Sequence, residues 1–386
     1  MLPYAKQSIS KDDIKAVSDV LASDFITQGD VVPQFETAIA QYCGVDYAIA
    51  VSNGTAALHL ACLALGVTEG DWVWTSPNTF VASANCALYC GAGIDFVDID
   101  PLSYTMSVTA LKEKLQQAKH KGCLPKVVIP VHFSGQSCLM AEIQDLSQEY
   151  GFAIIEDAAH ALGGEYAGEK IGTCQYCDIT IFSFHPAKMI TTGEGGMLVT
   201  QNKALAETAT RLRSHGISKN TEQMINPSVG EWYYEQHSLG FNYRLTDIQA
   251  MLGLSQLTRL DTFVAQRRAL ARYYNEQLIS LPVILPKQAE TTNSCWHLYV
   301  IRLDLSQIDC TREKVFAYLR EQGIGVHVHY IPVHTQPYFQ ALGFAEGDFP
   351  QSEAYYQSAI TLPLFVDLTT SDIDYIVRSL ELALQC

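Results

Sequence analysis

At 386 residues the chain is long enough for a large folded unit with a smaller one attached, and 48% hydrophobic against 17% charged residues excludes a disordered chain. A net charge of −16 argues against a nucleic-acid partner, which selects for a basic face, and no apolar run has the length of a membrane span. The start, MLPYAKQSISKDD, lacks the apolar segment of an export signal, so a cytoplasmic location is expected and the 11 cysteines read as reduced, mostly core thiols.

Ser10 and Asp13 have capping-box spacing and open a helix to about residue 21; Pro33 opens another that ends near Cys43. Strands and helices then alternate: strand 47–51, helix 54–65, strand 72–75, helix 79–89, strand 94–99, helix 108–119, strand 127–132, helix 141–150 and strand 152–157. Apolar runs at 178–184 and 196–200 read as two more strands. These strands are short, β-branched and apolar on both faces, the pattern of a mostly parallel sheet covered by helices in an α/β fold. Past Thr200 a helix is expected over 204–214 and a long polar loop over 218–235. Thr246 and Gln249 form a second capping box, opening a long helix to about residue 278. Strand 297–303, helix 312–322, strand 325–329 and helix 371–384 then suggest a smaller α+β unit. The expected division is 1–250 for a large domain and 251–386 for a small C-terminal one, with the long helix as connector.

In open α/β sheets, ligands lie beyond the carboxyl ends of the strands, so the residues there are the site candidates. Asn53, Gly54, Thr55 and Ala56 turn from a strand into a helix and offer free backbone N–H groups, which suit a phosphate. Ser183 would add a hydroxyl donor. Asp157 ends a buried strand, where an acid needs a cationic or hydrogen-bonding partner. Lys188 is the only lysine between Lys170 and Lys203, and its apolar setting predicts a depressed pKa and a nucleophilic amine. Phe80 supplies an aromatic face. Taken singly these residues are ordinary: a capping acid, a core phenylalanine, a solvated lysine. Together, a phosphate cradle, an acid for a ring nitrogen, a ring to stack and a reactive lysine describe a site for pyridoxal 5′-phosphate (PLP).

With these residues assembled, the chain resembles the nucleotide-sugar aminotransferases of the DegT/DnrJ/EryC1/StrS group, which are PLP enzymes of fold type I. The motifs are SNGTAALHLA from Ser52, SPNTFVASAN from Ser76, IEDAAHALG from Ile155, FSFHPAKMITTGEGG from Phe182, LGFNYRLTDIQA from Leu239 and HYIPVHTQPYF from His329. The resemblance implies that Lys188 bonds the cofactor's aldehyde and moves the proton, that Asp157 pairs with the ring nitrogen, and that His160 lies near the phenolic oxygen. It also implies that Phe80 stacks on the ring and that Gly54, Thr55, Ala56 and Ser183 hold the phosphate. Asn242 would reach in from a second subunit, which implies a homodimer with shared sites. For the sugar nucleotide the resemblance points to Tyr4, Asp24, Phe25, Ile26, Thr27, His329, Tyr330, Ile331 and Pro332. Arg244 is a further candidate for an anionic group. Ile26-Thr-Gln-Gly29, TGEGG and HYIPVH most resemble the transaminases of pseudaminic acid biosynthesis. That implies transfer of an amino group from L-glutamate to the C4 ketone of UDP-2-acetamido-2,6-dideoxy-β-L-arabino-hex-4-ulose. One departure is Asn78, where an apolar residue is common in the S-P-x-T-F turn.

Several rivals are weaker. A PLP sugar dehydratase carries histidine where Lys188 stands. A regulator on the same scaffold would be expected to lose Lys188 or Asp157. A metal site from His327, His329 and His334 needs the third ligand to converge. No G-x-G-x-x-G follows a strand, which excludes a dinucleotide fingerprint. Cys174 and Cys177 form a lone C-x-x-C without a second pair.

Overall fold

The computed structural model describes residues 1–226 and 230–385. Ser10, Asn53, Ser107, Asn202, Thr246, Thr311 and Thr369 each start a helix by accepting a backbone N–H with the side chain, the role their short polar groups favour. The helices are α1 (Lys11–Leu21), α2 (Val31–Cys43), α3 (Gly54–Ala64), α4 (Ala82–Tyr89), α5 (Val108–Lys121), α6 (Met140–Tyr150), α7 (Lys203–Arg213), α8 (Asp247–Leu257), α9 (Leu260–Leu278), α10 (Arg312–Glu321), α11 (Pro337–Gln340), α12 (Pro350–Ser358) and α13 (Thr370–Ala383).

The large sheet is built from β1 (Tyr47–Val51), β2 (Trp72–Thr75), β3 (Gly93–Phe96), β4 (Val127–Ile129) and β5 (Ala153–Asp157). A hairpin of β6 (Glu165–Tyr166) and β7 (Glu169–Lys170) intervenes before β8 (Ile179–Ser183) and β9 (Gly196–Thr200) complete it. The strand order is β1-β9-β8-β5-β4-β2-β3. The strands from β3 to β8 pair in parallel, whereas β9 runs antiparallel to both β8 and β1. Alternate residues of one strand feed opposite faces. Ile181 and Leu198 join the core under α3, α4 and α7, while Phe182, Met197 and Val199 join the one under α2, α8 and α9. With both faces covered, the strands have no polar side, and this is the α/β arrangement expected.

Small elements follow. Strands β10 (Ile217–Ser218) and β11 (Glu235–Gln236) pair in what reads from sequence as a continuous loop; residues 227–229 of that loop lie outside the described residues. Then come β12 (Val283–Ile284), β13 (Thr292–Asn293), β14 (Tyr299–Leu303) and β15 (Ala359–Leu362). The antiparallel sheet β12-β14-β15 packs through Tyr299, Ile301 and Ile360 onto Tyr274, Leu319 and Ile376 of α9, α10 and α13. Each such side chain, fully buried, contributes about 1.5–3 kcal/mol.

Three expectations are corrected. The helix expected from Thr246 to residue 278 is two helices, because α8 stops at Leu257 and α9 starts at Leu260. Arg259 caps α9 at the junction, with its guanidinium bonded to the buried Asp13 of α1. The strand expected to reach His132 stops at Ile129, since Pro130 has no N–H to continue the ladder. The stretch 325–329 is not a strand: His327 bridges Thr361 alone, while Gly325 bonds the N-terminal segment through Leu2. Among the described residues no helix is long and apolar enough to cross a membrane. Among the described residues nine cysteines are free thiols, Cys174 and Cys177 among them, whereas Cys310 is disulfide-bonded and departs from the reduced reading.

Candidate active site

A cavity of about 590 Å³ opens at the carboxyl ends of β1, β5 and β8. Its first wall is the turn between β1 and α3. Asn53 is extended and its Oδ1 accepts the Ala56 N–H at 2.8 Å. The Gly54 and Thr55 N–H groups, in the first turn, have no acceptor within the helix and are free for a ligand. β9 presses against this turn. Val51 faces Gly196 in the ladder, and a Cβ on Gly196 would lie 2.4 Å from the Asn53 carbonyl oxygen. Only glycine fits there. Gly54 is similarly close, since its Cβ would meet Ser183 Cβ at 3.1 Å, so the Ser183 hydroxyl borders the same helix start. Backbone donors, a helix N-terminus and a hydroxyl are the chemistry of a phosphate cradle.

Asp157 and Lys188 share the cavity. Asp157 ends β5, buried, with Oδ1 accepting the Ala159 N–H at 3.1 Å and Oδ2 accepting the Ser83 hydroxyl at 2.5 Å. Lys188 lies in the turn after β8, its N–H bonded to the His185 carbonyl at 2.8 Å. Burial pushes its amine down to about 8, partly offset by the negative charge of Asp157. About a tenth of such amines are neutral at pH 7.

The opposite wall is aromatic. His160 Nδ1 accepts the Ser134 backbone N–H at 3.2 Å, so the proton of the neutral ring sits on Nε2. That nitrogen is 3.0 Å from the Tyr330 hydroxyl, which accepts from it and keeps its own hydrogen free to donate. His297 packs tilted against His160 with ring centres 4.4 Å apart, and His327 stacks on His329 at 4.5 Å, with Tyr4 tilted over both of the latter. His329 Nδ1 lies 2.8 Å from the Thr361 hydroxyl. Burial, with the nearby charge of Lys188, holds His160 and His297 well below the usual imidazole range. Burial likewise pushes His329 down to about 3. These three rings are therefore uncharged at neutral pH.

Of the residues singled out from sequence, Tyr4, Gly54, Thr55, Phe80, Asp157, His160, Ser183, Lys188, His329 and Tyr330 line the cavity. Phe80 is 59% exposed, at the rim. Ala56 lies one residue deeper in α3, bonded to Asn53. Asp24, Phe25, Ile26, Thr27, Asn242, Arg244, Ile331 and Pro332 are not on this lining. Asn242 instead bridges Ser214, and Ile26 is tied to α8 through the Asp247 N–H at 3.0 Å. His334 bonds Glu353 at 2.9 Å, and among the described residues no three His, Cys, Asp or Glu side chains gather to hold a metal. Sequence reasoning missed Thr79, Ser83, Glu194 and His297 on the lining. Thr79 and Ser83 had a signal in their four-residue spacing just after a sheet strand; His297 had none.

The family model of the DegT/DnrJ/EryC1/StrS aminotransferase family matches residues 7–381. The spore coat polysaccharide biosynthesis protein SpsC of Bacillus subtilis is 38% identical over 98% of this chain and 96% of its own. The UDP-4-amino-4,6-dideoxy-N-acetyl-beta-L-altrosamine transaminase of Campylobacter jejuni is 35% identical over 98% of this chain and 96% of its own. Among solved structures, Helicobacter pylori PseC, an aminotransferase involved in the biosynthesis of pseudoaminic acid, superposes with a TM-score of 0.90 at 29% identity, covering 99% of both chains. The PLP form of the putative sugar aminotransferase Spr1654 of Streptococcus pneumoniae gives 0.87 at 27% identity, covering 99% of this chain and 98% of that one.

Proposed function

This chain belongs to the DegT/DnrJ/EryC1/StrS aminotransferase family and is a PLP-dependent sugar aminotransferase, and from that premise we propose that it moves the amino group of L-glutamate to the C4 ketone of UDP-2-acetamido-2,6-dideoxy-β-L-arabino-hex-4-ulose, in pseudaminic acid biosynthesis. One observation carries the reading of the site: the Lys188 amine, the Asp157 carboxylate and the open helix start at Gly54 face one cavity. The bound cofactor supplies an electron sink that makes the proton beside an amine-bearing carbon labile.

The chain's own residues do the rest. Lys188 tethers the cofactor and, once free, takes the proton at one carbon and returns it at another; an amine near 8 suits both directions. Asp157 keeps the proton on the ring nitrogen. Gly54, Thr55 and Ser183 anchor the phosphate, the Ala56 N–H being held by Asn53 instead, and Phe80 covers the ring from the rim. His160 and Tyr330 present a neutral donor edge to the phenolic oxygen. Tyr4 and His329 face the sugar nucleotide. Asn242, Arg244, Ile331, Pro332 and Asp24 to Thr27 lie off the cavity of their own chain; in the homodimer that the resemblance implies, Asn242 reaches the site of a second copy.

The similarity to the altrosamine transaminase and the motifs shared with it support the sugar assignment. A different UDP- or dTDP-linked 4-keto-6-deoxysugar is the second reading, favoured by the 38% identity to SpsC. A panel of UDP- and dTDP-linked 4-keto sugars with glutamate, scored for amino-sugar product, separates them. The proposed UDP sugar is expected to turn over fastest; turnover of a dTDP sugar alone would replace the assignment and leave the family unchanged.

A further inference from the structure

A serine outside every role assigned so far touches the most consequential carboxylate in the cavity. Ser83, in the first turn of α4, is 1% exposed, and its hydroxyl is 2.5 Å from Asp157 Oδ2. Thr79, four residues earlier and 2% exposed, places its own hydroxyl 2.8 Å from Ser83 Oγ. Both also line the cavity. The direction of this chain of hydrogen bonds follows from valence. An ionised carboxylate only accepts, so Ser83 must donate to Asp157. Its single hydrogen is then used, so its oxygen accepts from Thr79. Each bond polarises the next toward the anion. The second carboxylate oxygen takes the Ala159 N–H at 3.1 Å, so donors from two elements hold the carboxylate plane.

We propose that Ser83, backed by Thr79, is a positioning residue that fixes the orientation of Asp157, so that the carboxylate meets the cofactor's ring nitrogen and keeps the proton there. This rests on the reading of Asp157 given above. A hydrogen bond to an ionised acceptor is about twice as strong as a neutral one. Its loss leaves Oδ2 without the donor that holds it in place. Strand β5 alone cannot supply this. The backbone fixes where Asp157 begins, whereas the hydroxyl from α4 selects the rotamer.

The test uses the PLP-loaded full chain and its half-reaction with L-glutamate, which needs no sugar. Ser83→Ala is expected to lower kcat about tenfold to a hundredfold, with KM for glutamate changed less than about threefold. It should also displace the pH midpoint of the visible absorption band and weaken PLP affinity measured by refilling the cofactor-free protein. Ser83→Thr keeps the donor and should restore most of the rate and the midpoint. Thr79→Val, which leaves the Ser83 hydroxyl in place, should shift both in the same direction by less, and serves if Ser83→Ala does not fold. Wild-type kcat and midpoint in Ser83→Ala, or in Thr79→Val where the first does not fold, would overturn the inference. Asp157→Asn in the same assays separates the failures. If it too is silent, the parent reading of Asp157 fails; if it alone acts, only the role of Ser83 does.

Discussion

The two walls of the cavity are built differently. The wall of the large sheet is contiguous in sequence: each functional group stands within a few residues of a strand end, as Asn53 does after β1, Asp157 at the end of β5 and Lys188 after β8. The aromatic wall is assembled from distant pieces, with Tyr4 from the N-terminal segment, His297 before β14, and His327, His329 and Tyr330 after α10. The first wall carries donors and charge that a phosphate, a ring nitrogen and an aldehyde need. The second presents aromatic rings, which exclude water and shape what enters. Chemistry common to a family belongs on the wall that every strand end fixes; discrimination among substrates belongs on the wall that can vary without disturbing the sheet.

The contrast can be broken at its strongest point. Lys188→Ala should lower transamination by about 10³-fold or more, because both tether and proton carrier are lost. Mixing it with an Asn242→Ala chain should recover activity in heterodimers, which hold one intact site; no recovery would exclude sites shared between copies. Gly196→Ala is expected to act next, through backbone alone. The new methyl meets the Asn53 carbonyl, so the turn must shift, at about 1–3 kcal/mol of stability. PLP affinity should fall with it, as read by urea unfolding and by cofactor titration. An aromatic-wall change should be the mildest. His329 is depressed to about 3 against 6.5 for the free group, so its contribution is fully present above about pH 6.5 and is lost as pH falls toward 3. His329→Phe should therefore lose less stability on acidification, by up to about 2 kcal/mol between pH 6.5 and 5 in urea unfolding. Equal slopes for the two proteins would show that His329 takes up protons freely in the folded chain.

What was legible in the sequence follows the same division. Strand-end positions could be read because a short apolar run followed by Asn-Gly or by an acid carries its own signal. The reversed direction of β9 could not, since Gly196 to Thr200 has the composition of its parallel neighbours and only its pairing differs. The break between α8 and α9 carries no Gly or Pro to announce it, and the contact made there, Arg259 to Asp13, spans 246 residues. His297 was invisible for a like reason. It precedes an ordinary strand, and only the packing of that segment against His160 brings it to the cavity.

The central claim is that Lys188 is the amine that holds the cofactor. Borohydride reduction of the PLP-loaded protein, followed by peptide mapping, tests it directly. The account predicts loss of the yellow colour and a pyridoxyl group on the peptide containing Lys188, with none on that peptide in cofactor-free protein. A pyridoxyl group on another lysine, with Lys188 unmodified, would contradict it.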